Sequence, residues 1–225
     1  EPLGAATAYG SDRVFVAVGE MEHPIGLEVL ADEGSPVARL VLGDLAGLGA
    51  QVLLWEVATA LCGAALGINP FDQPNVAEAK AATNEVLASG PPDLDPGSLD
   101  DVLAAVVPGD YLAIQAYVDP FGADVDALAE LRAALRDHLV VATTLGLGPR
   151  FLHSTGQLHK GGPPTGVFVQ IVGDDAVDAP VPGASFTFST LKHAQADGDL
   201  VTLRAHGLRA VRTTAADLAA YLAAH

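Results

Sequence analysis

The chain has 225 residues, of which 50% are hydrophobic, and its formal net charge is −17 at pH 7. A chain of this length can bury a sizeable core, as one large α/β domain or two small ones. The acidic balance argues against nucleic acid and anionic membrane partners, because basic surfaces hold phosphate groups. Polar residues interrupt the longest apolar stretches, so we expect no membrane-spanning segment. The N-terminal residues do not have the pattern of a signal sequence.

The cysteine content indicates the cellular compartment. Cys62 is the single cysteine and lies in an apolar stretch, so it cannot form an internal disulfide. A reducing, cytoplasmic location is the simplest prediction. The sequence begins at Glu1 without an initiating methionine, and we therefore expect a fragment of a longer protein.

Short apolar runs alternate with amphipathic stretches along the first half of the chain. They predict a strand, a helix, a strand and two further helices, at residues 14–18, 23–31, 37–42, 48–66 and 74–87. Residues 89–97 contain three prolines and are the best linker candidate. Ser98 then caps a short helix.

The second half repeats this alternation. Strands are predicted at 111–118, 139–145 and 166–172, helices at 124–138, 188–196 and 214–224, and extended or mixed structure at 200–204 and 209–212. Such alternation predicts an α/β fold, with a mostly parallel, doubly wound sheet and helices on both faces. We expect one unit over 1–225, with a possible subdivision into 1–90 and 98–225.

The helix predicted after residue 73 has a distinctive beginning. Pro74 suits its first position, and Asp72 or Gln73 can cap the amides there. Free amides at a helix start attract anions, and Lys80 follows about two turns later. The alternative is an ordinary capped helix with a solvated lysine.

A polar segment at 146–162 follows a predicted strand and contains five glycines. In parallel sheets, functional groups gather beyond the carboxyl ends of the strands. The side chains here would suit a polyhydroxylated phosphate ester; they are Arg150, His153, Ser154, Thr155, Gln157, His159 and Lys160. The alternative is a polar surface hairpin. A metal site is disfavoured, because no cysteine or carboxylate lies near the two histidines.

Several segments carry a resemblance to a known family. Residues 71–73 (FDQ), followed by Val76 and Lys80, resemble the C-terminal signature of phosphoglucose isomerases, although Ala77 stands where that signature has glutamate. Further segments are similar to those of bifunctional transaldolase and glucose-6-phosphate isomerase fusions; they are 54–60, 66–69, 152–163 and 191–199. The resemblance implies a sugar-isomerase-like fold.

The resemblance also implies a reaction. Phosphoglucose isomerases open the ring of glucose 6-phosphate and move a proton between C2 and C1 through a cis-enediol, without metal or organic cofactor. Lys80 matches the signature lysine of ring opening, and His159 is the candidate second catalytic residue. The candidate substrate-binding residues are Gln73, His153, Ser154, Thr155, Gln157 and Lys160.

The match to the family is incomplete. A serine-threonine phosphate loop and a recognisable proton-transferring glutamate are absent from this sequence. We expect them in preceding isomerase and transaldolase segments of the same protein, so the isolated chain should be inactive or weakly active. Two alternatives remain open. One is a noncatalytic regulatory domain that binds sugar phosphate, and the other is a structural module that forms homo-oligomers through the helix at 48–66.

Overall fold

The computed structural model describes residues 3–19 and 26–225. The chain divides into two compact units, residues 1–72 and 73–225. The predicted linker at 89–97 lies inside the second unit, so the division does not coincide with the subdivision expected there. The carbonyl oxygens of Asp95 and Pro96 accept hydrogen bonds from the Arg204 guanidinium, which ties this proline-rich segment to the unit.

The described part of the first unit contains two parallel strands and two helices after a short 3-10 turn at Ala6–Ala8. The elements are β1 (Phe15–Val18), α1 (Leu27–Asp32), β2 (Val37–Leu40) and α2 (Leu45–Leu66). The helix expected at 23–31 is found from Leu27 onward, and residues 23–25 lie outside the described residues. Both predicted strands are present.

Helix α2 presents apolar side chains to solvent. It begins where the Asp44 carboxylate accepts a hydrogen bond from the Gly47 amide, three residues before the predicted start. Leu45, Trp55 and Leu61 are all exposed. Over the described part of the chain, α2 is the one helix long and apolar enough to cross a membrane by length and composition. One such helix is weak evidence for a membrane span, and the expected absence of a span remains a prediction.

The second unit contains a four-stranded parallel sheet in the order β4-β3-β5-β6. Its elements are α3 (Pro74–Ser89), α4 (Leu99–Ala104), β3 (Tyr111–Tyr117), α5 (Asp124–Leu139), β4 (Ala142–Leu147), a 3-10 turn (Arg150–His153), α6 (Gly156–Gly161), β5 (Gly166–Val172), α7 (Phe188–Ala205), β6 (Arg209–Thr213) and α8 (Ala215–Ala224). The predicted α/β class is confirmed.

Helices cover both faces of this sheet because successive residues of a strand point to opposite faces. On one face, Leu112 and Ile114 of β3 pack with residues of α4, α5 and α8, among them Leu128. On the other face, Phe168 of β5 packs with Leu200 of α7. The sheet is therefore doubly wound, and α7 separates its second face from solvent.

Helix α7 is nine residues longer than predicted, since it continues to Ala205 rather than ending at residue 196. The prediction of extended or mixed structure at 200–204 is wrong. Leu200 and Leu203 are fully buried against Phe168 and lie three residues apart, on one face of the helix. Tertiary packing thus continues the helix through Gly198, a residue of low helix propensity.

Gly198 is required because α7 and α3 approach each other closely. A Cβ atom added there would lie 2.9 Å from the backbone nitrogen of Thr83 and 3.2 Å from the backbone carbon of Ala82. We expect Gly198→Ala to lower the unfolding free energy by about 1–3 kcal/mol, measured in urea, because a backbone atom cannot move aside as a side chain can. Gly156→Ala is the control, because its added Cβ would make only ordinary contacts. Equal stability of the two variants would contradict this account of the helix contact.

Candidate functional site

Residues 148–162 of the predicted polar segment lie beyond the carboxyl end of β4, where functional groups gather in parallel sheets. The segment is not a hairpin. It folds as the 3-10 turn Arg150–His153 followed by helix α6, and it packs against α3 and α7. Residues 153–160 therefore occupy two sides of a short helical segment, and they face two different cavities.

The first cavity, which we call the Lys80 cleft, has a volume of about 230 Å³. Three predicted site residues line it: Lys80 from α3, His153 from the 3-10 turn and Lys160 from α6. Its other polar side chains are Asn75, Thr83, Asn84 and Gln195. Segments far apart in sequence thus form one wall with amide, hydroxyl, imidazole and ammonium groups.

Two hydrogen bonds join the segments that carry Lys80 and Lys160. The Asn75 backbone amide donates to Gln157 Oε1 at 3.0 Å, and Gln157 Nε2 donates to Asn75 Oδ1 at 2.7 Å. Gly161 permits this contact, because a Cβ atom on it would collide with both side chains. Gln157, a predicted substrate-binding residue, therefore positions α3 against α6.

The start of α3 differs from the prediction. The side chain of Gln73 makes no capping hydrogen bond, and Gln157 takes that role from a distant segment. The Val76 amide donates to the Gln73 carbonyl oxygen, and Pro74 has no amide hydrogen. The first amides of α3 are therefore already used, so they do not form the anion site expected at this helix start. Gln73 itself is exposed and is not part of the lining of either cavity.

Lys160 forms a buried ion pair at the base of the Lys80 cleft. Its ammonium donates a hydrogen bond to Asp199 Oδ1 of α7, and the two side chains are 2% and 0% exposed. Burial raises the pKa of the Asp199 carboxyl, and the Lys160 charge opposes that rise. Asp199 neutralises Lys160, whereas Lys80 is exposed, so Lys80 supplies the uncompensated positive charge of the cleft.

His159 is separated from Lys80. Its ring is buried beside the rings of Phe168 and Phe151, and Nδ1 shares a 2.9 Å hydrogen bond with the Tyr111 hydroxyl. It is part of the lining of the second cavity and not of the Lys80 cleft. The two candidate catalytic residues, Lys80 and His159, therefore line different cavities, because adjacent residues of helix α6 point in different directions.

The surroundings of His159 predict a dependence of stability on pH. Burial, followed by the Lys160 charge, lowers the pKa of the imidazole to about 4. The unfolded chain binds a proton near the ordinary pKa of about 6.5, so the neutral folded form loses stability as the pH falls from about 6.5 to about 4. The loss should be on the order of 3 kcal/mol.

The matched experiment compares the wild-type chain with His159→Gln by urea unfolding at pH 7 and pH 4.5. Carboxylates titrate in both proteins. The difference between the two proteins in how the unfolding free energy changes with pH therefore reports on the histidine alone. We expect the steeper fall in the wild type. Equal slopes would show that His159 is protonated in the folded state at pH 4.5.

Ser154 and Thr155 also face the second cavity and not the Lys80 cleft. Both hydroxyls donate weakly to the Phe151 carbonyl oxygen, at 3.3 and 3.5 Å, as is usual in a turn. The candidate substrate-binding residues of this segment are thus split. Lys80, His153 and Lys160 form one group, and Ser154, Thr155 and His159 form the other.

Sequence reasoning missed two buried residues that shape these cavities. Asp199 holds Lys160, and Gln115 lines the second cavity from the middle of β3. Gln115 is a polar residue within an otherwise apolar buried strand, and such a residue needs a partner. That rule could have identified Gln115, whereas Asp199 stands among other polar residues of α7 and gives no such signal.

Comparisons with known proteins identify no family. No protein-family model matches the chain, and no curated protein matches it significantly. Among solved structures, the chain is similar to the crystal structure of hypothetical protein TT0462 from Thermus thermophilus, with 14% sequence identity and a TM-score of 0.42. The match covers 88% of this chain and 50% of that chain, so this chain spans about half the length of that protein. A likeness this distant indicates no activity.

Proposed function

We propose that this chain is the C-terminal part of a glucose-6-phosphate isomerase, as in transaldolase fusions, and that the Lys80 cleft contributes to its active site. One observation carries the proposal: Lys80, from the segment that resembles the isomerase signature, lines the same cleft as His153 and Lys160. The last two belong to a second segment that resembles the same family. Two independent resemblances thus meet at one surface.

The chemistry of the cleft suits sugar ring opening. An exposed ammonium at Lys80 can donate a proton to a ring oxygen, which is general acid catalysis. Asn75, Asn84 and Gln195 supply amides that both donate and accept hydrogen bonds, as sugar hydroxyls require. The Asn75–Gln157 hydrogen bonds hold the start of the helix that carries Lys80, so the backbone from which that side chain projects is fixed before substrate arrives.

The charge distribution is compatible with a phosphorylated substrate. A net charge of −17 repels phosphate at long range, so a phosphate ester needs a local cation. Lys80 provides one, and no carboxylate is part of the described lining of the cleft. The base that moves the proton between C2 and C1 must then come from the preceding segments of the longer protein.

A second candidate is a noncatalytic domain that binds sugar phosphate. The position of His159 favours it, because the ring that would assist Lys80 in ring opening lies in another cavity. Such a domain would use the same cleft to sense its ligand. The two candidates therefore predict the same binding and differ only in turnover.

Deuterium exchange separates these candidates. The longer protein is incubated with glucose 6-phosphate in D₂O, and NMR follows fructose 6-phosphate formation and deuterium incorporation at C1 of that product and at C2 of recovered glucose 6-phosphate. We expect both, because the base that takes the C2 proton exchanges it with solvent before it protonates the enediol. Binding of glucose 6-phosphate, measured by calorimetry, without formation of fructose 6-phosphate would support the regulatory domain and reject the isomerase. Absence of binding and of product formation would reject both candidates and leave the structural module.

A further inference from the structure

Helix α2 of the first unit carries its polar side chains on one side. Gln51, Glu56 and Thr59 line a groove that the helix forms with Val18 and Leu42. A surface helix normally turns its apolar side toward its own domain and its polar side outward, so α2 has the reverse arrangement. At about 3.6 residues per turn, the opposite side of the helix consists of apolar residues alone; they are Ala50, Leu53, Leu54, Val57, Ala60, Leu61 and Ala64.

These seven residues, which we call the α2 seam, are all exposed. Leu53 is 61% exposed, Leu61 is 65% exposed, and Leu54 and Val57 are each 48% exposed. Contiguous apolar surface of this kind marks an interaction site. The spacing of three and four residues along the seam is the pattern that one helix presents to another. The α2 seam is therefore suited to a helical partner.

The first unit has a small core of its own. Among its described residues, the buried hydrophobic side chains are those of Ala8, Leu27 and Leu30. A unit of this size buries little apolar surface by itself, and association is one of the usual ways to compensate. Covering the α2 seam would supply part of the missing core.

The order of large and small residues in the α2 seam points to a second copy of the same helix. The seam is nearly the same when it is read in either direction from Val57. In an antiparallel pair centred there, Leu53 of one copy would lie opposite Leu61 of the other, and Leu54 would lie beside Ala60. A two-fold axis requires such self-complementarity, because the same surface must serve both copies. The antiparallel direction also brings opposite ends of the two helix dipoles together.

The length of α2 provides enough surface for a stable dimer. Its 22 residues extend about 33 Å, and a helix with its side chains is about 10 Å across. Half of that accessible surface is on the order of 600 Å², so two copies would bury about 1,200 Å² in total, the lower end of specific, stable interfaces. Pairing of α2 alone therefore reaches the area that a stable dimer needs.

The charges of the chain are compatible with self-association at this place. Glu56 is the one charged residue of α2, and it lies on the side away from the seam. Two copies with a net charge of −17 each repel at long range, but the seam brings no charges together. It also offers no basic residue to an anionic lipid surface. A second copy is thus favoured over an anionic membrane.

We propose that two copies of this chain associate through the α2 seam, with the two α2 helices antiparallel and Val57 at the two-fold axis. This pairing does not depend on isomerase activity. The deuterium-exchange experiment and the experiments below can therefore fail separately.

Sedimentation of the 225-residue chain over a wide range of concentration tests the pairing. We expect a reversible dimer that strengthens as sodium chloride is added, because salt screens the repulsion between two acidic copies. Val57→Glu should raise the dissociation constant at least tenfold, since the two new carboxylates would face each other across the axis. Phe121→Glu is the matched control and should dimerise as the wild type does, because it adds the same charge at a 95% exposed apolar side chain of the second unit.

Two further variants test the arrangement. Leu61→Glu should also raise the dissociation constant at least tenfold, and it covers the case in which Val57→Glu does not fold. Val57→Cys in a Cys62→Ser background should form a covalent dimer on air oxidation, because the two sulfur atoms would meet at the axis. Cys62 is exposed but lies off the seam, so the wild type should form none.

Three results would each overturn the inference: a wild type that stays monomeric at every concentration, glutamate variants that both dimerise as the wild type does, or no covalent dimer from Val57→Cys. A monomeric chain that floats with phosphatidylcholine vesicles would also overturn it and would assign the α2 seam to a lipid surface.

Discussion

Replacing Lys80 by alanine in the proposed full-length isomerase is expected to lower kcat for glucose 6-phosphate by about 10²–10⁴-fold, the usual contribution of a general acid. Substrate affinity should change by only a few fold, because the amides of the cleft remain. The loss should therefore appear in kcat and not in KM. Coupled steady-state kinetics and calorimetric titration measure the two quantities.

Lys192→Ala is the matched control, since it removes an equal charge from another place. Lys192 lies on α7 and donates to the Gly173 carbonyl oxygen and to Asp175, outside the Lys80 cleft. We expect its kcat to match that of the wild type. A Lys80→Ala protein with normal kcat would contradict a catalytic role, and weaker binding at normal kcat would assign Lys80 to the sugar phosphate alone.

Asp199→Asn is expected to destabilise the chain by about 3–5 kcal/mol, the effect of breaking a buried ion pair on one side. The carboxylate is fully buried, and its partner Lys160 is 2% exposed, so the ammonium would lose its counter-charge where water cannot replace it. Asparagine keeps the shape of aspartate, and packing changes are therefore small. Urea unfolding at pH 7 measures the difference.

The control is Asp175→Asn, which breaks the ion pair with Lys192, whose side chain is 12% exposed against 23% for Asp175. We expect a smaller loss, because water reaches this pair and can replace part of the lost interaction. A double variant, Lys160→Met with Asp199→Leu, should recover much of the stability that Asp199→Asn loses, because no unpaired charge remains. If Asp199→Asn costs no more than Asp175→Asn, then the buried ion pair does not contribute as argued.

Local rules predicted most elements of the second unit. Apolar runs identified β3 and β5, because a parallel strand buried on both faces needs apolar residues throughout. Ser98 and Thr214 start α4 and α8 as predicted, each with its hydroxyl accepting an amide hydrogen bond. These signals are readable because each depends only on residues a few positions apart.

Element ends were less predictable. Strand β4 begins at Ala142, three residues after the predicted start, since Leu139 still belongs to α5 and Val140 ends that helix at a φ of 55°. A run of β-branched residues favours a strand, but α5 continues one residue past its predicted end, to Leu139. Similar competition extended α7 through residues 200–204.

The sequence alone carried the fold class, most helices and strands, and the segments that hold the candidate residues, because periodicity and capping are short-range properties of the chain. Only the tertiary structure placed Lys80 beside His153 and Lys160, turned His159 toward another cavity and left Gln115 without a partner. Those outcomes depend on the direction of each side chain around α6 and on which strands become neighbours. The approach of Lys80 and Lys160 to one cleft, and the pairing of Gln115 with Gly146, follow from packing over the whole sheet, which no local pattern encodes.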